Sequence, residues 1–185
     1  MKKKKIIIVG GDPNSVNSEI IAKCRKKLNK SLREKIYLIS NYNLMKQQLK
    51  KLKYPNKIIR VDNINENFKL DKLKIIDINV NFTNPFKVPK IASSKFVLRS
   101  LDLAHNILIN NEAQAMVNCA IDKKLLRIKG LGVTEYLASK CKIKDKSEVM
   151  LIFNKEISVC PITTHINLKQ VSSNLKIDIL IKKIK

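Results

Sequence analysis

The start of the chain limits its fold most tightly. Ile6-Ile7-Ile8-Val9 is an unbroken β-branched run that stops at Gly10-Gly11-Asp12-Pro13. Such a run prefers a strand, and the absence of polar alternation marks a strand covered on both faces, as in parallel sheets. Parallel neighbours need crossover connections, so helix and strand should alternate downstream. They do. A helix is predicted from about Ser18 to Asn29, with Ile20, Ile21, Cys24 and Leu28 on one face, then a strand from Ile36 to Ser40. A helix near Leu44 to Lys53 follows, ended by Pro55, and Lys57 to Val61 reads as another strand. The predicted fold class is α/β, a mainly parallel sheet flanked by helices.

Asp62 to Pro89 reads as a connector holding one strand near Lys74 to Val80. A long helix is expected from about Ser93 to Asn111, with Val97, Leu101, Ala104, Leu108 and Ile109 as its stripe. Ala115 to Ile121 is apolar and ends at Asp122-Lys123-Lys124; a helix near Thr134 to Cys141 precedes two strands, Val149 to Phe153 and Ile157 to Thr164. No internal repeat is visible. At 185 residues and 44% hydrophobic content, the reading is one α/β unit over 1–185.

Charge raises a different class of function. With 38 Lys+Arg against 15 Asp+Glu the net charge is +23, which attracts nucleic acid or anionic membranes. The lysines are spread from end to end, however, and aromatic residues are only 5%, so no stacking platform is signalled. A basic nucleic-acid-binding module remains the alternative reading. No apolar run approaches the roughly 20 residues of a membrane span. Met1 and Lys2 to Lys5 begin like a signal peptide, but the glycine turn arrives too early for one. Cys24, Cys119, Cys141 and Cys160 form no C-x-x-C pair, so a reduced, cytoplasmic protein is expected.

Four places could carry chemistry. The Gly10 to Ser18 turn joins a strand to a helix amino terminus, where backbone N–H groups and the helix dipole attract anions; it matches neither G-x-G-x-x-G nor a Walker loop. Thr163-Thr164-His165 ends an apolar strand, and imidazole there suits a divalent metal or a structural hydrogen bond. Lys123, with Lys124, follows a strand and suits a phosphate or carboxylate, or is simply solvated. Thr134, in Gly132-Val133-Thr134-Glu135, could cap a helix and donate to a phosphate oxygen.

In this order and spacing the four resemble the 4-hydroxythreonine-4-phosphate dehydrogenase family of vitamin B6 biosynthesis. Gly11-Asp12-Pro13-Asn14-Ser15-Val16-Asn17-Ser18-Glu19 is similar to the ends of the family's G-[DE]-P-A-G-I-G-P-E loop but lacks its inner glycines. Ala115 to Lys123 resembles a family strand leading to a lysine, and Gly132-Val133-Thr134-Glu135 resembles G-H-T-E, with Val133 in place of a histidine that binds the substrate phosphate. Thr163-Thr164-His165, with Leu168 after it, resembles T-T-H-x-[PS]-L.

The resemblance implies an isocitrate/isopropylmalate dehydrogenase-like fold and an enzyme that oxidises and decarboxylates 4-hydroxythreonine 4-phosphate to 3-amino-2-oxopropyl phosphate. It implies NAD or NADP as cofactor, a divalent metal (zinc, cobalt or magnesium), and a homodimer. By resemblance His165 is a metal ligand, and Lys123 and Thr134 bind the phosphorylated amino-acid substrate. The family's remaining histidines, in N-P-H-A-G-E and Y-H-D-Q-G segments, have no counterpart, so the chain corresponds to the first half of the enzyme and is not expected to complete the chemistry alone.

Overall fold

A computed structural model describes residues 5–54, 57–65, 71–126, 132–142, 148–164 and 166–184. The chain has two compact units, Met1–Val133 and Thr134–Lys185.

In the first unit β1 (Ile6–Val9), β2 (Ile36–Ser40), β3 (Ile58–Val61), β4 (Leu73–Asp77) and β5 (Ala115–Asn118) form one sheet in the order β3-β4-β2-β1-β5. Every pairing is parallel, with Ile8 opposite Leu38 and Val117, and Leu38 opposite Ile75. Helix α1 (Asn17–Lys27) and α3 (Tyr42–Lys51) cover one face, where Ile21, Ala22, Leu38, Met45, Leu49, Leu73 and Ile75 pack as a single cluster. The 20-residue α4 (Lys90–Ile109) contacts β1, β2 and β5 and buries Phe96, Val97, Leu101 and Ala104. The α/β class and the parallel sheet expected from the sequence are what the structure has.

The helix faces differ in detail from the sequence reading. Ile20 and Cys24 are exposed, and the buried side of α1 is instead Asn17, Ser18, Ile21, Ala22 and Arg25. Arg25 can turn inward because its guanidinium donates to Asp71 Oδ1 at 3.0 Å, and Asp71 also pairs with Arg33 at 3.1 Å. Burial nevertheless pushes the Arg25 pKa down from its ordinary value, against the opposing pull of Asp71. In α4 the buried residue near the end is Ile107, not Ile109.

A short helix, α2 (Lys30–Lys35), has no apolar face and was not expected; it starts because the Asn29 side chain accepts from Leu32 N at 2.9 Å. Lys74, cross-strand partner of Tyr37, is fully buried, with Nζ 4.1 Å from that ring's centroid and donating to the Glu34 carbonyl.

The second unit is built differently. It begins in α5 (Val133–Lys140) and continues with β6 (Ile152–Phe153) and β7 (Ser158–Val159), an antiparallel two-residue pair in its own sheet. A 3₁₀ turn (Leu168–Gln170), α6 (Val171–Asn174) and α7 (Ile177–Ile184) complete it. The two long strands expected over 149–164 pair only over these short stretches. Among its described residues, only Tyr136 and Ala138 are buried.

Candidate active-site crevice at the strand exits

The sheet order fixes where a ligand can sit. From β1 the chain turns to β2 on one side, and after α4 it returns to β5 on the other, so neighbouring connections diverge between the exits of β1 and β5. Open parallel sheets bind ligands at the carboxyl ends of strands where the connections diverge in this way.

Two segments form this place. The first, Gly10 to Ser18, is tied down by side chains. Asn17, only 3% exposed, donates from Nδ2 to the Gly10 carbonyl at 3.0 Å and to the Ala120 carbonyl at 2.8 Å, joining the exits of β1 and β5. Asn14 closes a reciprocal pair with Val88, Nδ2 donating to its carbonyl at 2.9 Å and Oδ1 accepting from its N–H at 2.7 Å. Gln48 of α3 donates to the carbonyls of Pro13 and Pro85 at 2.8 and 2.6 Å. Gly11 has φ +73°, and a Cβ there would stand 2.5 Å from the Ala120 carbonyl oxygen, so this glycine is required both by conformation and by space.

The loop's own amides are largely committed. Gly10 N donates to Ile39 O, Asp12 N to Ala120 O, Ser15 N to Asp12 O, and Asn14 N to Asp12 Oδ1, while Asn17 N donates to Ser15 Oγ. The arrangement therefore acts mainly as a rigid wall, with few loop amides left for an anion. Glu19, at the motif's end, is turned to Lys23 at 2.6 Å and to the Tyr54 hydroxyl at 3.4 Å. Hydrogen bonding to Lys23 holds its carboxyl below the usual range. Two buried oxygens, Asn17 Oδ1 and Ser18 Oγ, have no partner among the described residues.

The second segment follows β5. Asp122 accepts from Lys124 N at 2.9 Å and so starts a 3₁₀ turn, Lys123–Leu125, that Leu125 and Leu126 anchor in the core. Lys123 is exposed on this turn, three residues beyond the Ala120 carbonyl held by Asn17. The Asn17 clamp and the Asp122 cap are contributions that sequence reading missed. The signal available was an asparagine standing where the family loop has glycine.

Cys119, at the exit of β5 and packed against the α1/α3 cluster, has its thiol pushed up to about 11 by burial. A cavity of about 180 Å³ near the end of α4, lined in part by Asp62, Ile64, Ile107 and Glu112, shares none of the crevice residues.

Thr134 belongs to the second unit. Because α5 begins at Val133, Thr134 lies exposed in the first turn and not in the cap position ahead of it. His165 lies outside the described residues. No group of three or more His, Cys, Asp or Glu side chains that could hold a metal occurs among the described residues, so the donor set of a catalytic metal is not assembled there. No helix among the described residues is long and apolar enough to cross a membrane.

Fold and topology together define an open, parallel α/β protein, a class that binds its ligands at the strand exits. Comparison with known proteins makes this specific: the chain belongs to the PdxA family, the pyridoxal phosphate biosynthetic proteins, whose model matches residues 31–185. The chain is 30% identical over 187 residues to the 4-hydroxythreonine-4-phosphate dehydrogenase of Sulfurihydrogenibium sp. (strain YO3AOP1), covering 98% of this chain and 56% of that protein. It is 29% identical to the enzyme of the same name from Aquifex aeolicus (strain VF5), with the same coverage.

Among solved structures it resembles 4-hydroxythreonine-4-phosphate dehydrogenases from Burkholderia phymatum (TM-score 0.84, 17% identity, 100% of this chain and 57% of that one) and Klebsiella pneumoniae (0.82, 20%, 98% and 57%). At these identities the structural likeness speaks for the fold. The chain spans little more than half the length of the relatives it matches.

Proposed function

We propose that this chain supplies the amino-terminal half of a 4-hydroxythreonine-4-phosphate dehydrogenase, acting in the cytoplasm as part of a homodimer. The reaction oxidises the substrate's secondary alcohol, with NAD or NADP taking the hydride, and the resulting β-keto acid decarboxylates to 3-amino-2-oxopropyl phosphate. The observation that carries this reading is the family match over 31–185. By this reading the 185-residue chain does not complete the reaction by itself.

The chain's contribution is to bind and orient the substrate. Lys123 supplies a flexible point charge for the substrate phosphate at the exit of β5. Thr134 supplies a hydroxyl in the first turn of α5, where helix N–H groups also favour an anion. Val133 replaces the family's histidine beside Thr134. His165 is assigned as one ligand of the divalent metal (zinc, cobalt or magnesium). The described residues do not provide the remaining donors, and no step is assigned to the metal on this chain.

Growth tests the reading. A bacterial strain that requires pyridoxine because it lacks this dehydrogenase should grow without the vitamin when the chain is expressed together with the unmatched portion of the Sulfurihydrogenibium relative. The same strain should stay dependent when His165→Ala is introduced. Continued dependence with both portions stably produced would remove the assignment.

A further inference from the structure

The cavity near the end of α4 reverses the charge balance of the chain. Lysine and arginine outnumber aspartate and glutamate by 38 to 15, yet the described lining of this cavity holds two carboxylates, Asp62 and Glu112, and neither lysine nor arginine. Strand β3 ends at Val61, so Asp62 leaves the sheet at once. Asn63 Oδ1 then accepts from Asn65 N at 2.8 Å, and Ile64 turns back into the core, only 1% exposed. Across the cavity Asn110 Nδ2 donates to Glu112 Oε1 at 3.4 Å, which keeps that carboxylate beside the helix end. The rest of the lining is largely apolar, with Ile64 and Ile107 buried and Leu103 beside them.

The helix end adds to the negative potential. Helices α1, α2, α3, α5 and α7 each carry lysine or arginine in the last turn, whereas α4, 20 residues long, carries none. The last carbonyls of a helix form the negative end of its dipole and favour a cation. Residues of that end, Ile107 and Asn110, line the same cavity as the two carboxylates, so three sources of negative potential meet at one concave surface. The crevice is elsewhere. Ser93 and Ser94, the α4 residues bonded to Asn14 and Leu125, lie about 20 Å from Asn106 along a helix rising roughly 1.5 Å per residue.

We propose that this cavity binds a small organic cation, an alkylammonium whose charged head is taken by Asp62 and Glu112 and whose hydrocarbon body lies on Ile64, Leu103 and Ile107. The lining selects this chemistry. At about 180 Å³ the cavity is smaller than the roughly 300–1,000 Å³ of sites for drug-sized ligands, which excludes a dinucleotide. An anion would meet charge of its own sign. A bare calcium ion takes about six to eight oxygens and would leave the apolar half unused.

Methyl-resolved NMR titration of the 185-residue chain tests this with n-butylammonium chloride, butan-1-ol and calcium chloride, followed at Ile64, Leu103 and Ile107. Butylammonium is expected to shift those methyl groups and to bind at least about tenfold more tightly than butan-1-ol, the margin of a hydrogen bond to a charged group. Added sodium chloride should weaken it. Asp62→Asn and Glu112→Gln should each lower its affinity, and the double variant should bind butylammonium no better than butan-1-ol. Glu156→Gln, which removes the same charge at an exposed position of the second unit, should leave the affinity unchanged. Should a variant lose its fold, the comparison of butylammonium with butan-1-ol on the unsubstituted chain still decides. Equal binding of the two, no shift at those methyl groups, or full affinity in a folded double variant would overturn the proposal. So would calcium shifting the same residues at lower concentration than butylammonium.

Discussion

Two residues in the crevice wall carry more than their size. Gly11 sits at positive φ against the Ala120 carbonyl, so Gly11→Ala should destabilise by at least about 1–3 kcal/mol, the usual cost of a non-glycine residue forced into that region. Asn17→Ala removes the donor shared by the Gly10 and Ala120 carbonyls and should cost about 1–3 kcal/mol, chiefly through the Gly10 carbonyl, since the Ala120 carbonyl still accepts from Asp12 N. Urea denaturation measures both, and values within experimental error of the unsubstituted chain would show that the clamp is incidental.

Cys119 gives a pH signature. Its thiol stays protonated in the folded chain up to about 11, whereas an unburied thiol ionises near 9.0. Between those values the unfolded state binds fewer protons, so this residue's contribution is full below pH 9 and is lost as pH rises toward 11. Cys119→Ser should flatten that decline in a stability-against-pH series; an unchanged slope would contradict the assignment. At the crevice mouth, Lys123→Ala should lower affinity for 4-hydroxythreonine 4-phosphate clearly more than Lys124→Ala does, by calorimetry on the assembled enzyme. Equal small losses would make Lys123 an ordinary solvated lysine.

Among elements, those set by apolar runs were legible in the sequence. Ile6 to Val9, Ile36 to Ser40 and Ile58 to Val61 became central or edge strands because runs rich in β-branched residues favour extended backbone, whether buried throughout as in β2 or only in part as in β1 and β3. What could not be read depends on partners distant in sequence. Arg25 turns inward only because Asp71, 46 residues on, meets it, and that rotates the buried face of α1 away from Ile20 and Cys24. Lys74 reads as a surface residue until its neighbour in β2 proves to be Tyr37. The run from Val149 to Thr164 carries a strand's composition without a strand's partners, so pairing is confined to four residues.

Of the candidate site, the loop and the lysine after β5 were visible as positions at strand exits. The asparagine clamp was not, because it is a contact across 103 residues. Caps give an element-scale prediction. Asn41 accepts from Leu44 N at 2.8 Å and also donates to Asp77 and to the Ile78 carbonyl, whereas exposed Asn29 only caps α2. Both Asn→Ala changes should fall within about 0.5–2 kcal/mol for the cap itself, with Asn41→Ala the more costly because it also strands buried groups. Thermal melts of the two variants decide the order.

At the scale of the whole molecule, a well-packed parallel sheet is followed in the chain by a second unit in which, among the described residues, only Tyr136 and Ala138 are buried, and the chain spans little more than half the length of its relatives. The charge of +23 does not point to nucleic acid once the family is known. The most direct measurement is NAD reduction on 4-hydroxythreonine 4-phosphate by the complex of this chain with the unmatched portion of the Sulfurihydrogenibium relative. The account predicts activity that depends on added divalent metal and disappears with His165→Ala in this chain while the complex stays assembled. A stable complex that produces no NADH, or one that retains full activity with His165→Ala, would contradict it.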